Sequence, residues 1–221
     1  MPARRLLDST ELLAALPEEV RSALARSGRE NALPRGDVLF RQGDPSSELF
    51  VVLDGNIAVA THSSDGRESL VAVLEPGGLF GELGLFDGEP RSADARALVD
   101  ATVLAIPYDR VQEVLRSTPE LLWIVVRILA QRLRATDEAL ADAVFLDVPA
   151  RTAKRLLELA GDEDHIQLPM TQEDLAGLVG ASRERVNKAL ALFLRVAWLE
   201  QQGRGRYRIL DREALRQRAN P

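Results

Sequence analysis

The sequence contains no cysteine and very little histidine, and both shortages exclude classes of site. With 0 cysteines in 221 residues, the chain can form no disulfide, no thiolate zinc site and no iron–sulfur cluster. The two histidines, His62 and His165, lie far apart in the sequence. That separation favours solvated histidines over a metal or haem site, so we expect no metal and no cofactor.

Long apolar runs are also missing. No run reaches the roughly 18 residues that a membrane-spanning helix needs, and the densest stretch, residues 121–130, is interrupted by Arg127. The opening residues, MPARRLLDST, include two arginines without a following apolar segment, so we expect no signal peptide. These absences predict a cytoplasmic protein without a membrane partner. The length suits one large or two modest domains.

Negative charge is in excess overall, but it is unevenly distributed. The net charge is −6. Residues 149–221 hold 13 Lys and Arg against 10 Asp and Glu, a net +3, whereas residues 1–148 hold 15 against 24, a net −9. The C-terminal third is therefore the part of the chain that we expect to face an anion such as nucleic acid.

Two kinds of hydrophobic pattern occur along the first 145 residues. Residues 8–30 and 108–145 have apolar residues at helical spacing, with Pro119 opening the longest part of the second helix. Between them, over 33–107, short Val- and Leu-rich runs are separated by Gly-containing turns. Such spacing predicts an antiparallel sandwich or barrel, so the fold class is α+β.

The second helical segment carries a heptad repeat. Its apolar or small residues follow a spacing of four, three, four, three, which is typical of a coiled-coil seam. We predict a parallel homodimer joined along this seam, the alternative being a helix packed on its own domain. The seam residues are Leu122, Val126, Leu129, Leu133, Thr136, Leu140 and Ala143.

The C-terminal segment has the pattern of a winged helix-turn-helix. The stretch FLDVPAR at 145–151 predicts a hinge, with Asp147 capping the next helix. Thr171 and Asp174 form a capping-box variant, Gly180 permits a tight turn, and Ser182 is predicted to cap the second helix. The stretch QQGRGRYRIL at 201–210 then fits a hairpin wing.

The outward face of the second helix carries side chains that can read DNA bases. Arg183 and Lys188 suit guanine, Glu184 suits a cytosine amino group and Asn187 suits adenine. On the wing, Arg204, Arg206 and Arg208 can meet phosphate. The alternative is two core helices with a solvated charged face, but an acid among the bases favours a reader.

A third motif, GELGLFDGEPRSA at 81–93, places a carboxylate, a guanidinium and a hydroxyl within a dozen residues. Together the motifs resemble the cyclic-AMP receptor protein/fumarate-nitrate regulator family of bacterial transcription factors, over about residues 12–210. The resemblance implies an N-terminal antiparallel β-roll (jelly roll) that binds cyclic nucleotide (1–107), a long dimerisation helix with a hinge (108–148) and a C-terminal winged helix-turn-helix (149–221).

Residues 81–93 resemble the family's phosphate-binding cassette, and we call them the cassette. A cyclic nucleotide offers a ribose 2′-OH, an anionic phosphodiester and a base. Glu82 can accept from the 2′-OH, Arg91 can pair with the phosphate, and Ser92 can complete the cradle. The resemblance implies a nucleotide site made of Val71, Ala72, Gly81, Glu82, Leu83, Arg91, Ser92, Ala93, Thr136 and Asp137.

The resemblance also implies partners for the C-terminal segment. They are a pseudo-palindromic double-stranded DNA operator and RNA polymerase. The implied DNA contacts are Thr171, Gln172, Ser182, Arg183, Glu184, Arg185, Asn187, Lys188, Arg204 and Arg206. Three positions depart from the usual family pattern: Ala72, Asp137 and Arg185.

Alternatives to a regulator controlled by cyclic AMP remain open at this point. One is a DNA-binding protein whose β-roll binds no ligand, or binds a different effector such as cyclic GMP. Another is an enzyme that uses Glu82 with Arg91, for example a phosphodiesterase. The sequence offers such an enzyme no metal cluster and no activated nucleophile, so we expect no catalytic activity.

Overall fold

The computed structural model describes residues 18–63, 68–168 and 170–220. The chain separates into two compact units. The first contains the residues up to 134 except 68–70, and the second contains those three residues and everything from 135 onward. The three-part division at 107 and 148 stays a prediction.

The first unit is built on two four-stranded sheets. Their strand orders are β1-β8-β3-β6 and β2-β7-β4-β5, and the β1–β8, β3–β8 and β4–β7 pairs are antiparallel. This confirms the predicted antiparallel β-rich fold. The strands are β1 Arg29–Leu33, β2 Val38–Phe40, β3 Glu48–Asp54, β4 Ile57–His62, β5 Glu68–Leu74, β6 Leu79–Phe80, β7 Asp94–Ala97 and β8 Ala101–Pro107.

Strand β3 divides its side chains between two hydrophobic cores. Leu49 and Val51 belong to one core, whereas Phe50 and Val52 belong to the other. Successive side chains of a strand point to opposite faces, so a strand buried on both faces is apolar throughout. The run LFVVL therefore has no polar residue in it.

Within the described residues, the helices that accompany the sheets are α1 Glu18–Ser27, α2 Leu83–Asp87, α3 Tyr108–Ser117 and α4 Leu121–Phe145. The prediction of helix over 8–30 is wrong at its end, because the chain enters β1 at Arg29; residues 8–17 lie outside the described residues. The predicted helix over 108–145 is interrupted at 118–120. Thr118 precedes Pro119 and has φ −137° and ψ 74°, since a residue before proline avoids the helical region.

The second unit contains the winged helix-turn-helix, as predicted. After α4, helix α5 Val148–Ala160 leads to a three-stranded sheet in the order β10-β11-β9. Val186, Ala189, Leu190 and Phe193 form the buried face of its second motif helix. The remaining elements are β9 His165–Gln167, α6 Gln172–Val179, α7 Arg183–Arg195, β10 Leu199–Gly203, β11 Arg206–Ile209 and α8 Arg212–Ala219.

The predicted helix caps of this unit differ in outcome. Asp147 accepts a hydrogen bond from the Ala150 amide at 2.9 Å, and Thr171 and Asp174 form a complete capping box. Both predictions are confirmed. Ser182 occupies the predicted cap position of α7 with extended backbone, although its side chain makes no capping hydrogen bond.

The last turns of α4 are tied to α5 by ion pairs and hydrogen bonds. The Lys154 ammonium lies 2.6 Å from Asp142 and 2.7 Å from Glu138. Burial alone would lower the pKa of Lys154, but the hydrogen bonds that it donates to these carboxylates raise it. Arg151 donates to the Ala143 carbonyl at 3.1 Å and to the Leu146 carbonyl at 3.2 Å. These contacts connect the residues on either side of the hinge predicted at 145–151, which stays a prediction.

Candidate functional site

The cassette is a tightly packed loop in the first unit. It leaves β6, passes through the short helix α2 and returns to β7. Gly81 has φ +72°, and a Cβ there would lie 2.6 Å from Nη1 of Arg91. A Cβ on Gly84 would lie 2.0 Å from the Ser46 hydroxyl oxygen. Glycine is therefore required at both positions, by backbone conformation at the first and by close approach at both.

Arg91 is buried, and its guanidinium is held by hydrogen bonds and by contact with an aromatic ring. Nη1 donates to the Gly81 carbonyl at 2.8 Å and Nη2 to the Glu48 carbonyl at 2.7 Å. Its Cζ lies 4.3 Å from the centre of the Phe40 ring, a cation–π distance. In the described part of the chain, Nε of Arg91 has no hydrogen-bond partner.

The hydroxyl of Tyr108 also contacts Arg91, and no sequence motif pointed to this residue. Tyr108, the first residue of α3, is only 8% exposed. Its hydroxyl accepts from Nη1 of Arg91 at 3.3 Å and donates to the Gly81 carbonyl. Burial raises the pKa of Tyr108 and outweighs the opposing effect of Arg91, so the phenol stays protonated.

Glu82 is buried and paired with a second arginine. Its carboxylate Oε1 accepts from Nη1 of Arg132 on α4, and Nη2 of Arg132 donates to the Leu79 carbonyl. The second carboxylate oxygen, Oε2, is an acceptor that this pairing does not use. Arg132 is not among the site residues predicted from the sequence, because no local pattern links two residues that are 50 positions apart.

The other predicted nucleotide contacts lie in several places. Ala93, the last residue of the cassette, is buried, whereas Leu83 and Ser92 are exposed. On β5, Val71 is exposed and Ala72 is half-buried. Thr136 and Asp137 are exposed on the part of α4 that belongs to the second unit. The structure therefore brings together Gly81, Glu82 and Arg91, and the full ten-residue site stays a prediction.

The predicted seam on α4 is an exposed apolar stripe, apart from Leu129 and the polar Thr136. Leu122, Val126, Leu133 and Leu140 are exposed, whereas Leu129 is half-buried against the core of the first unit. Exposed large apolar residues at regular heptad spacing are typical of an interaction face.

The helix-turn-helix presents its predicted base-reading residues at the start of α7. Gly180 ends α6 in the left-handed conformation, with φ 68°. Arg183, Glu184, Arg185 and Lys188 are exposed. Asn187 is half-buried, and its Oδ1 has no hydrogen-bond partner among the residues that the structure describes.

Two of these residues form a pair along the helix. The Lys188 ammonium lies 2.6 Å from the Glu184 carboxylate. The hydrogen bond and the charge of Lys188 lower the pKa of Glu184. Such an exposed pair is weak, so either side chain can exchange it for a base edge.

The remaining predicted DNA contacts flank α7. Arg204 and Arg206 are exposed on the β10–β11 hairpin, and Thr171 and Gln172 are half-buried at the start of α6. The Thr171 hydroxyl already belongs to its capping box. The unit therefore places a base-reading helix start beside a wing that carries arginines.

The described residues contain neither a metal-binding cluster nor a membrane-spanning helix. No group of three His, Asp or Glu side chains in residues 18–63, 68–168 and 170–220 is arranged to hold a metal ion. Over those same ranges, no helix combines the length and the apolar character needed to cross a membrane.

Two protein families match separate parts of the sequence. Residues 30–118 match the "Cyclic nucleotide-binding domain" family and residues 150–218 match the "Crp-like helix-turn-helix domain" family. The cassette lies within the first range, and α6, α7 and the wing lie within the second.

Curated relatives cover nearly the whole chain. The "CRP-like cAMP-activated global transcriptional regulator" of Mycobacterium tuberculosis is 37% identical over 205 residues, which cover 90% of this chain and 91% of the relative. The "cAMP-activated global transcriptional regulator Vfr" of Pseudomonas aeruginosa is 33% identical over 190 residues, covering 81% and 86%.

A solved structure shows the same fold. FixK2 from Bradyrhizobium japonicum has a TM-score of 0.80 at 20% identity, covering 88% of this chain and 98% of FixK2. These findings confirm the resemblance inferred from the motifs, and the family consists of transcription regulators. The chain therefore belongs to the cyclic-AMP receptor protein/fumarate-nitrate regulator family, as a DNA-binding regulator with a cyclic nucleotide-binding domain.

Proposed function

We propose that the chain is a homodimeric transcription regulator whose DNA binding is controlled by cyclic AMP bound at the cassette. The observation that carries this proposal is the buried Nε of Arg91, which has no partner among the described residues. A buried donor without an acceptor costs about 1–3 kcal/mol. An anionic ligand oxygen at this position would remove that cost.

The phosphate side of the ligand suits Arg91. A guanidinium has five N–H donors, and the described contacts use the two of Nη1 and one of Nη2. The Nε–H and one N–H of Nη2 remain. A phosphodiester accepts such a pair in a bidentate, charge-assisted arrangement.

The ribose side suits Glu82. Arg132 pairs with Oε1 of this buried carboxylate, which leaves Oε2 to accept from a 2′-hydroxyl. Arg91 is therefore placed to bind the anionic phosphate of the ligand. Arg132 holds Glu82, which is placed to bind the ribose hydroxyl of the same ligand. Both relatives compared above carry "cAMP-activated" in their names, which supports cyclic AMP as the nucleotide.

The remaining partners follow from the second unit and the seam. The exposed apolar stripe on α4 suits a second copy of the chain, because a heptad face is self-complementary in a parallel pair. A two-fold dimer presents two copies of α7 to a pseudo-palindromic operator. A regulator of transcription acts with RNA polymerase, so we propose that enzyme as the further partner and the cytoplasm as the location.

Calorimetric titration of the purified protein with cyclic AMP tests the proposal. The native protein should bind, and Arg91→Ala should bind about 10- to 100-fold more weakly, since each decade corresponds to about 1.4 kcal/mol. Arg110→Ala is the matched control, because Arg110 is exposed on α3 and its guanidinium pairs with the exposed Glu113 at 3.4 Å. That control should bind as the native protein does.

Thermal melting of each variant separates a lost contact from a lost fold. Failure of the native protein to bind cyclic AMP would overturn the choice of effector. If a folded Arg91→Ala variant bound as tightly as the native protein, the cassette would not be the site.

A further inference from the structure

Tyr108 lies at the point where the two sides of the cassette meet. Its hydroxyl donates to the Gly81 carbonyl, directly before Glu82, and accepts from Nη1 of Arg91 at 3.3 Å. Nη1 of Arg91 also donates to the Gly81 carbonyl, at 2.8 Å. The three groups form a closed triangle, with the phenol on α3 as its only member outside the cassette.

Each corner of this triangle fixes a different part of the site. The Gly81 peptide sets the direction in which the chain enters Glu82, and its φ of +72° depends on glycine. Nη1 of Arg91 sets the plane of the guanidinium, and therefore the direction of its Nε–H. A change at the phenol would loosen both, because neither has another side-chain hydroxyl among its described hydrogen-bond partners.

We propose that Tyr108 is a positioning residue for nucleotide binding: it sets the orientation of Arg91 and of the Gly81 peptide without contacting the nucleotide. This inference rests on the proposed function of the cassette and extends it to a residue outside the cassette. The phenol is suited to this role because burial keeps it protonated at neutral pH, so it remains a donor to Gly81.

Tyr108→Phe removes the hydroxyl and keeps the ring. We expect calorimetry to show about 5- to 20-fold weaker binding of cyclic AMP, the range that corresponds to one or two lost hydrogen bonds. Tyr207→Phe is the matched control: the chain has 2 tyrosines, and Tyr207 is buried in the wing sheet of the other unit. The control should bind cyclic AMP with native affinity.

A double-mutant cycle separates positioning from general stability. If Tyr108 acts through Arg91, Tyr108→Phe should cost less than about 2-fold in an Arg91→Ala background, because coupled residues are not additive. A purely structural hydroxyl would cost the same factor in both backgrounds. Competition against a fluorescent cyclic nucleotide extends the measurement to the weakly binding variants.

A spectroscopic measurement needs no substitution at Tyr108. Tyr207→Phe protein labelled with 3-fluorotyrosine has a single fluorine resonance, from Tyr108. We expect this resonance to shift on saturation with cyclic AMP, because the phosphate of the ligand would pair with the Arg91 guanidinium that the phenol contacts. The same protein carrying Arg91→Ala should show a much smaller shift at saturation.

The outcomes distinguish this inference from the proposed function. If the native protein binds no cyclic AMP, the proposed function fails first. If the native protein binds and Tyr108→Phe binds equally well, or loses the same factor in both backgrounds, Tyr108 is not a positioning residue. An unmoved fluorine resonance at saturation would overturn the inference as well.

Discussion

At the scale of single residues, the two arginines at the cassette differ in whether their charge is paired within the protein. Arg132 neutralises a buried carboxylate by pairing with Glu82, whereas Arg91 is held by carbonyl oxygens and a phenol that carry no formal charge. A buried cation without an anionic partner is costly. The charge of Arg91 therefore favours an anionic ligand, and the charge of Arg132 does not.

Asp137 is the residue from which we predict nucleotide selectivity. The family resemblance implies that it reaches the base, and an ionised carboxylate is an acceptor only. The 6-amino group of adenine can donate to it, whereas guanine presents a carbonyl there. We predict a preference for cyclic AMP over cyclic GMP of roughly tenfold or more, since an unmet acceptor pair costs about 1–3 kcal/mol.

Parallel titrations of both nucleotides check this prediction. Asp137→Ser and Asp137→Asn each add a donor and should reduce the ratio between the two affinities. The prediction fails if the native protein binds cyclic GMP equally well. It also fails if Asp137→Ser leaves the ratio unchanged, because Asp137 is exposed and would then face solvent.

At the scale of elements, α4 serves two purposes on different faces. Leu121 and Val125 are buried in the core of the first unit, while the heptad positions other than Leu129 and Thr136 form the exposed stripe. The spacing of 3.5 residues that defines the stripe was visible in the sequence. The burial of Leu129 was not visible in the sequence, because a heptad pattern does not show which part of the fold packs against the neighbouring face of the helix.

Leu133→Asp should dissociate the dimer. Leu133 is 62% exposed in the single chain, and the proposed seam would bury it against a second copy. An unpaired buried carboxylate costs about 3–5 kcal/mol, so sedimentation velocity should show monomer at concentrations where the native protein is dimeric. Leu210→Asp is the matched control, since Leu210 is a 49% exposed leucine outside the seam.

The contrary result has a clear meaning. A Leu133→Asp variant that sediments as a dimer, with the control also dimeric, would show that the stripe is not the subunit interface. The heptad would then belong to the packing of α4 on its own chain.

At the scale of the whole molecule, the excess of positive charge lies in the segment that contains the helix-turn-helix. The segment 149–221 is net +3 within a chain of net −6, and it contains α7 and the wing arginines. Excess acid elsewhere disfavours non-specific wrapping of DNA around the first unit. We therefore expect DNA binding to be confined to the helix-turn-helix unit.

In vitro selection from random DNA should return an inverted repeat. Its half-sites should lie about one helical turn or a multiple apart, because a two-fold dimer places its two recognition helices at that spacing. Arg183→Ala should weaken binding to the selected site by about 1–3 kcal/mol and relax the preference at one position in each half-site. Arg195→Ala, in the last turn of the same helix, is the control and should keep the native preference.

Two results would contradict this arrangement. One is a selection that yields no inverted repeat with the native protein and saturating cyclic AMP. The other is an Arg183→Ala variant with unchanged sequence preference, which would assign base reading to other residues of α7 or to the wing.

The sequence by itself determined the features that depend on local order. These features are the short strands separated by Gly-containing turns, the helix caps at Asp147 and Thr171, the turn at Gly180 and the cassette glycines. They follow from backbone conformation and from side chains a few positions apart. The family resemblance rests on such local motifs, and the comparisons confirm it. A tight loop with a carboxylate and an arginine was therefore predictable before any coordinates.

Only the tertiary structure decided which distant side chains complete that loop. Arg132 meets Glu82 from 50 positions away, and Tyr108 meets Gly81 from 27 positions away. Arg91 reaches the Glu48 carbonyl, which is 43 positions distant. Such contacts depend on how the sheets and helices pack, and packing is set by the summed burial of many apolar side chains rather than by any short pattern.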